Sequence, residues 1–325
     1  MIEHGGNLAA AAQRYGIEPA RWLDLSTGIS PFAYPVGVIA AQAWRRLPEE
    51  TSTFGRAAAA YYGSKSFIAV AGSQAAIQLL PRLVPARSVA IAQPTYAEHA
   101  NSWRVAGAAV EMLPEDAIED AAVRHDVVVL CNPNNPTGRW WRPAVLRALH
   151  EELASRGGWL ILDEAFIDTE PRASHTPHAG KPGLVVLRSL GKFFGMAGAR
   201  VGFLFAPAEL LVRAAALLGP WSISGPSLAV AETALADAAF QDLARTRLQA
   251  ASARMQELLR RHGQGIAGAT DFFVWVKHPE ARRIQERLAR GAILVRAFDE
   301  PPSLRFGLPD AEEAWQRLED ALAAL

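Results

Sequence analysis

Residues 127–138 read VVVLCNPNNPTG. Five apolar residues run without a polar break and then stop at a loop of three asparagines, two prolines, a threonine and a glycine. Strands covered on both faces by helices, as in parallel sheets, carry this unbroken apolarity. Working outward, the same signature recurs at FIAVA (67–71), SVAIA (88–92), WLILD (159–163), LVVLRS (184–189) and VGFLF (201–205), with helix-period segments between them. That alternation predicts an α/β fold, a three-layer architecture around a mostly parallel sheet. The segment from Pro143 to Arg156 opens on a proline suited to a first helical turn and closes before Gly157-Gly158, so it is expected to be a connecting helix.

Beyond Phe205 the pattern changes. An Ala/Leu/Arg-rich stretch from about Pro226 to His262 predicts one or two helices. DFFVWV (271–276), AILVR (292–296) and SLRFG (303–307) predict short strands, with helices near 279–290 and 310–325. We therefore expect a large α/β domain over 35–215 and a smaller α+β domain built from 1–34 and 216–325, the first residues forming an N-terminal arm. With 325 residues, half of them apolar, the chain can bury cores of that size. Its 33 Lys plus Arg balance 33 Asp plus Glu, which argues against a nucleic-acid partner. No apolar run approaches the roughly 18 residues of a membrane span, and MIEHGGN lacks the features of a signal peptide, so a cytoplasmic location without membrane contact is expected. A single cysteine, Cys131, excludes an internal disulfide and a thiolate-rich metal site, and reads as core. His175 and His178 flank Pro177 with no third ligand in view; they read as a polar loop, and no metal is expected.

Residues with chemistry fall at the ends of the predicted strands, where open α/β sheets bind ligands. Gly72-Ser73-Gln74 opens the helix AAIQLLPRL, an anion site or a plain helix cap. Asn135, in the rigid loop, can offer an amide hydrogen to a ligand oxygen. Asp163 ends an apolar strand, so its carboxylate needs a cationic partner, either a structural one or a protonated ring nitrogen. Glu164 beside it reads as structural. Lys192 follows the strand 184–189 and is either a surface cation or, in a cleft lined by cations, an amine that loses its proton readily and attacks a carbonyl. Ser189 and Arg200 could hold a phosphate next to it. Tyr96 either stacks on a ring or wedges between strand and helix. An anion cradle, an acid for a ring nitrogen, an amide for a ring oxygen and a carbonyl-attacking lysine are together the needs of pyridoxal 5'-phosphate, whose protonated ring draws electrons from a substrate's α-carbon.

In order and spacing, NPNNPTG, DEAF (163–166) and SLGKFFGMAGARVG (189–202) resemble the fold-type I pyridoxal-phosphate family, the class I/II aminotransferase-like proteins, over essentially the whole chain. The resemblance implies Lys192 and Asp163 as the catalytic pair, the lysine bonded to the cofactor and the acid on its pyridine nitrogen. It implies Asn135 on the ring hydroxyl and Ser73, Ser189 and Arg200 around the phosphate, with Gly72, Gln74 and Tyr96 completing the cofactor site. Arg305, in LRFGLP, matches the arginine that grips a substrate carboxylate, with a structural ion pair as the alternative. HGGN (4–7), LDLSTGISP (23–31), DEAFID (163–168) and GPWSIS (219–224) narrow the likeness to the threonine-phosphate decarboxylases of cobalamin biosynthesis, themselves similar to histidinol-phosphate aminotransferases. This branch implies a phosphorylated amino-acid substrate, with His4 and Arg296 on its phosphate and Ile29, in the Ser26–Pro31 loop, beside it. Amino transfer is the alternative reading, and a sensor module of the same fold without turnover is a third. Three positions depart from the pattern: Phe166 and Leu47 stand where relatives often have tyrosine, and Gly28 where related loops often have asparagine. The family's usual two-fold active-site interface implies a homodimer.

Overall fold

In the computed structural model, which describes residues 4–325, twelve strands form. They are β1 (Leu23–Leu25), β2 (Phe67–Val70), β3 (Ser88–Gln93), β4 (Ala109–Pro114), β5 (Val127–Cys131), β6 (Trp159–Asp163), β7 (Leu184–Ser189), β8 (Gly202–Phe205), β9 (Ile266–Thr270), β10 (Phe273–Lys277), β11 (Ile293–Asp299) and β12 (Pro302–Gly307). The chain groups into two units, one of residues 33–134 and 140–243, the other of residues up to 32, 135–139 and 244–325.

The larger unit holds a seven-stranded sheet in the order β2-β8-β7-β6-β5-β3-β4. Its strands β4, β3, β5, β6 and β7 are parallel, and β8 runs antiparallel to both of its neighbours. This is the α/β architecture that the apolar runs lead one to expect. Every residue of β5 and β7 is buried, which is why no polar residue interrupts VVVLC. Val127, Val129, Ile161, Val185 and Leu187 join Ile77, Leu80 and Trp103 in one core, each fully buried side chain contributing about 1.5–3 kcal/mol. The helix Pro143–Ser155 begins on its proline and ends just before Gly157, which takes the left-handed φ of 73°. Register then sets the site: Cys131 lies opposite Asp163, Asp163 opposite Leu187, and Ser189 opposite Gly202. β5 and β6 thus end level with one another, and β7 runs two residues further to Ser189, beside which β8 begins.

The other unit is built on a five-stranded sheet, β1-β11-β12-β10-β9, antiparallel except for the β1–β11 pair. Helices Leu8–Tyr15, Ala281–Arg290 and Glu312–Ala323 belong to it. Ala11, Ala12, Trp22, Ala289 and Ala292 form a small core, the size of the alanines allowing close approach. Its consequence for function is one register pair: Arg296 on β11 lies opposite Arg305 on β12. The stretch read as one or two helices is two, Gly225–Ala236 and Ala238–Arg261, parted at Asp237, whose carboxylate accepts the Phe240 N–H at 2.9 Å.

Candidate active site

The larger unit carries Gly72, Ser73, Gln74, Tyr96, Asp163, Ser189, Lys192 and Arg200. Asp163, at the end of β6, is 6% exposed. Its Oδ2 lies 2.9 Å from His99 Nε2, and its Oδ1 accepts the Ala165 N–H at 3.1 Å. Burial by itself pushes the His99 imidazole down. The hydrogen bonds to Asp163 and Cys131 and the charges of both outweigh it, lifting the pKa to about 10, so the ring is cationic at neutral pH. Asp163 therefore has a cation of the protein itself beside it. His99, Cys131 and Asp163 bring their ligand atoms within 4.8 Å of one another, a spacing explained by this hydrogen-bonded pairing.

Sequence reasoning missed His99. The available signal was its position three residues after Tyr96 on the helix Ala97–Val105, which turns it toward the same face. The Tyr96 ring meets the His99 ring edge-on, centroids 6.0 Å apart. Tyr96 donates its hydroxyl hydrogen to Gln74 Oε1 at 3.0 Å, and Gln74 Nε2 donates to Glu98 Oε2 at 3.2 Å. Burial first, and then the charges of Glu98, Asp163 and Cys131, push the Tyr96 phenol up to about 12, so it stays a donor. Gln74 thus uses its side chain to hold Tyr96.

Ser73 opens the helix Ser73–Leu83, and Gly72 precedes it with φ 77°. A Cβ at Gly72 would collide with the Arg200 guanidinium, and one at Gly202 would collide with the Ser73 backbone nitrogen. Both glycines let the arginine and β8 lie against the helix start, where N–H groups and the helix dipole favour an anion. Arg200 itself takes the left-handed φ of 52° and donates to Ala197 O at 3.2 Å. Ser189 ends β7, buried, and Lys192 follows half-buried in the short helix Leu190–Phe193, its Nζ 5.6 Å from the centre of the Phe166 ring. A helix start beside an arginine, a lysine three residues from a buried serine and a carboxylate held against an imidazolium together fit pyridoxal phosphate, with sites for its phosphate, aldehyde and ring nitrogen.

The second unit carries His4, Ile29, Asn135, Arg296 and Arg305. Arg305 is 7% exposed. It donates from Nη1 to Asn135 Oδ1 and from Nη2 to Ser26 O at 2.6 Å, and its guanidinium lies over the Phe273 ring at 5.1 Å. Its buried Nε has no protein acceptor. Burial, then repulsion by Arg296, pulls its pKa down to about 10, with Asp24 opposing, so the charge persists at neutral pH. Of the loop's asparagines, Asn132 accepts the Trp141 N–H and Asn134 holds Thr95, Pro94 and Glu115, leaving Asn135 for Arg305. His4, Ser26 and Arg296 line one cavity of about 510 Å³ with Tyr15 and Gln285. Ile29 sits half-buried on the loop after β1, outside that cavity's lining. Gly28 is buried, and Leu47, in the larger unit, is 63% exposed.

Comparison with known proteins adds to this geometry. The family model for aminotransferase class I and II matches residues 45–322. A threonine-phosphate decarboxylase of Pseudomonas aeruginosa is 49% identical over 99% of this chain and 97% of that protein. Another, from a Sinorhizobium species, is 44% identical over 100% and 98%. Among solved structures, the histidinol-phosphate aminotransferase of Clostridium acetobutylicum superposes with a TM-score of 0.81 at 20% identity, covering 93% of this chain and 98% of that one, a likeness of fold.

Proposed function

The chain belongs to the aminotransferase class I and II family, and from that premise we propose that it is a pyridoxal-phosphate-dependent lyase that decarboxylates L-threonine O-3-phosphate to (R)-1-aminopropan-2-ol O-phosphate, a step of cobalamin biosynthesis. The observation that carries this reading is the register pair Arg296 and Arg305. Like charges directly opposite on neighbouring strands destabilise a sheet. A substrate with an anion at each end gives both a purpose: Arg305 for the carboxylate, and Arg296 with His4 for the phosphate. The two bacterial relatives named for this activity match over nearly the full chain.

When bound, the cofactor would supply an electron sink for a bond broken at the amine-bearing carbon. The protein's part is to choose that bond. Arg305, fixed by Asn135 and Ser26, holds the carboxylate in one orientation. Positioning of this kind supplies about 7–11 kcal/mol of a barrier. Asp163, held in place by His99, would face the cofactor's ring nitrogen and keep it protonated. Lys192 would hold the cofactor's aldehyde carbon through Nζ, and the same amine would be placed to deliver a proton to the carbon that loses its carboxylate. Ser73, Ser189 and Arg200, with Gly72, hold the cofactor phosphate, and Tyr96, braced by Gln74, faces the ring. Ile29 borders the substrate.

We further propose that the protein works as a homodimer in the cytoplasm. Trp44 and Leu47, 69% and 63% exposed, support the first part by offering apolar surface; one buried free cysteine supports the second. No described helix is long and apolar enough to cross a membrane. The deciding experiment incubates purified protein and pyridoxal phosphate with O-phospho-L-threonine. Release of carbon dioxide with 1-aminopropan-2-ol phosphate is expected. Keto-acid-dependent amino transfer without gas would assign the chain to the aminotransferase alternative instead.

A further inference from the structure

We propose that Arg188, acting through Asp168 and Glu164, is the positioning residue that fixes Lys192 and Ser189 against Asp163 and Phe166. The inference rests on the cofactor roles proposed above for these residues. Arg188 is 2% exposed in an otherwise apolar strand, LVVLRS. Its Nη2 donates to Asp168 Oδ1 at 2.6 Å, and its Nη1 donates to Ser174 Oγ at 3.0 Å and Thr176 Oγ1 at 3.1 Å. Glu164 Oε2 lies 3.8 Å away, and the guanidinium sits 4.7 Å over the Tyr62 ring. Glu164 is fully buried and also accepts from Ser174, from Thr176 and from the His175 N–H at 2.8 Å. Tyr61 donates to Asp168 Oδ1 at 2.7 Å.

Each charged member of this network is next in sequence to a residue of the cofactor site or brackets one. Asp163 precedes Glu164, and Ser189 follows Arg188. Side chains alternate along a strand, so the network occupies one face of the sheet end while the site occupies the other. Glu164 and Asp168 flank Phe166, whose ring lies against Lys192 Nζ. The backbone closes the same link, Glu164 N–H donating to Leu187 O at 2.9 Å. Arg188 therefore ties the segment that carries Asp163 and Phe166 to the segment that carries Ser189 and Lys192. Stability alone does not call for it, because well-packed apolar residues often serve as well as a buried ion pair. Val186 and Leu187 show that apolar side chains suit this strand.

The test compares wild type with Arg188→Lys, which keeps a charge but loses the two-pronged donor. Three quantities are read on the full chain: pyridoxal-phosphate affinity of the cofactor-stripped protein, the pH midpoint of the bound cofactor's absorbance change, and the melting temperature of the stripped protein. Affinity is expected to fall about 10- to 100-fold, the range for losing a group that orients a ligand's immediate holders. The absorbance midpoint is expected to move, and kcat to fall more than KM changes. Unchanged affinity and midpoint overturn the proposal, whatever the melting temperature does. Should Arg188→Lys fail to fold, Tyr61→Phe decides, because it removes one hydrogen bond to Asp168: a loss of affinity of about 2- to 10-fold supports the proposal and unchanged affinity overturns it. Affinity, absorbance midpoint and melting temperature are independent of turnover. A wild type that binds the cofactor yet releases no carbon dioxide from O-phospho-L-threonine would sink the substrate reading and leave the bracing role of Arg188 intact.

Discussion

Asp163 and Glu164 are neighbours in the chain, both buried carboxylates with a cation beside them, yet they belong to different machines. Asp163 is held by His99, a partner that can lose its charge, at the level where β5 and β6 end. Glu164 and Asp168 surround Arg188, a partner that cannot. Burial opposes the Arg188 charge, but Asp168, Tyr62 and Glu164 overcome it and raise its pKa further. One pair has a partner that titrates; the other pair is sealed around a fixed charge. The difference teaches that a single residue of register decides which role a carboxylate receives.

The sharpest way to break this contrast is to neutralise each acid in turn. Asp163→Asn should lower kcat for decarboxylation by about 100- to 10,000-fold, the range for losing a positioned charge that sustains proton transfer, and should also lower the melting temperature of stripped protein, because buried His99 loses its partner. Steady-state kinetics beside differential scanning calorimetry would check this. Next in size, Arg188→Met should destabilise the stripped protein by about 3–5 kcal/mol in urea titrations, because it leaves buried carboxylates unpaired. A smaller loss would show that the brace is less sealed than its 2% exposure implies.

The titratable side is sharpened by pH. The His99 pKa rises from 6.5 to about 10 on folding, so its contribution to stability is fully present below the unfolded value and disappears as pH climbs through the folded one. His99→Gln should remove that descending limb, up to about 1.4 kcal/mol per pH unit, from a stability profile of the stripped protein. A limb that survives the substitution would place its origin elsewhere. The smallest effect is expected at Ser174→Ala, about 0.5–1.5 kcal/mol in the same titrations with kcat nearly unchanged, since one hydroxyl leaves the network while its charges remain.

Much of the fold was legible because burial on both faces leaves an unmistakable mark. VVVLC, WLILD and LVVLRS become strands at the residues where their apolarity runs. Three other strands left weaker traces: β1 has only three residues, β4 lies at the sheet edge with alternate residues exposed, and β9 is made largely of small residues. In the larger unit, the helix-opening Gly72-Ser73 and the strand-ending Asp163 were readable because each sits where an element changes. His99 was not, since a histidine within a helix looks like any polar residue until the strand beside it is known. Arg188 did leave a trace, a charge inside an apolar run, but its partners lie 20 and 24 residues back, beyond any local pattern.

The opposed arginines of β11 and β12 carry a practical corollary for anyone handling this protein. Small oxyanions that settle against them relieve the repulsion and, by mass action, favour the folded state. A preparation kept in phosphate or sulfate is thus expected to melt at a higher temperature, and to show weaker apparent affinity for its amino acid, than the same preparation in a bulky zwitterionic buffer. The choice of salt becomes a variable of the assay rather than its background.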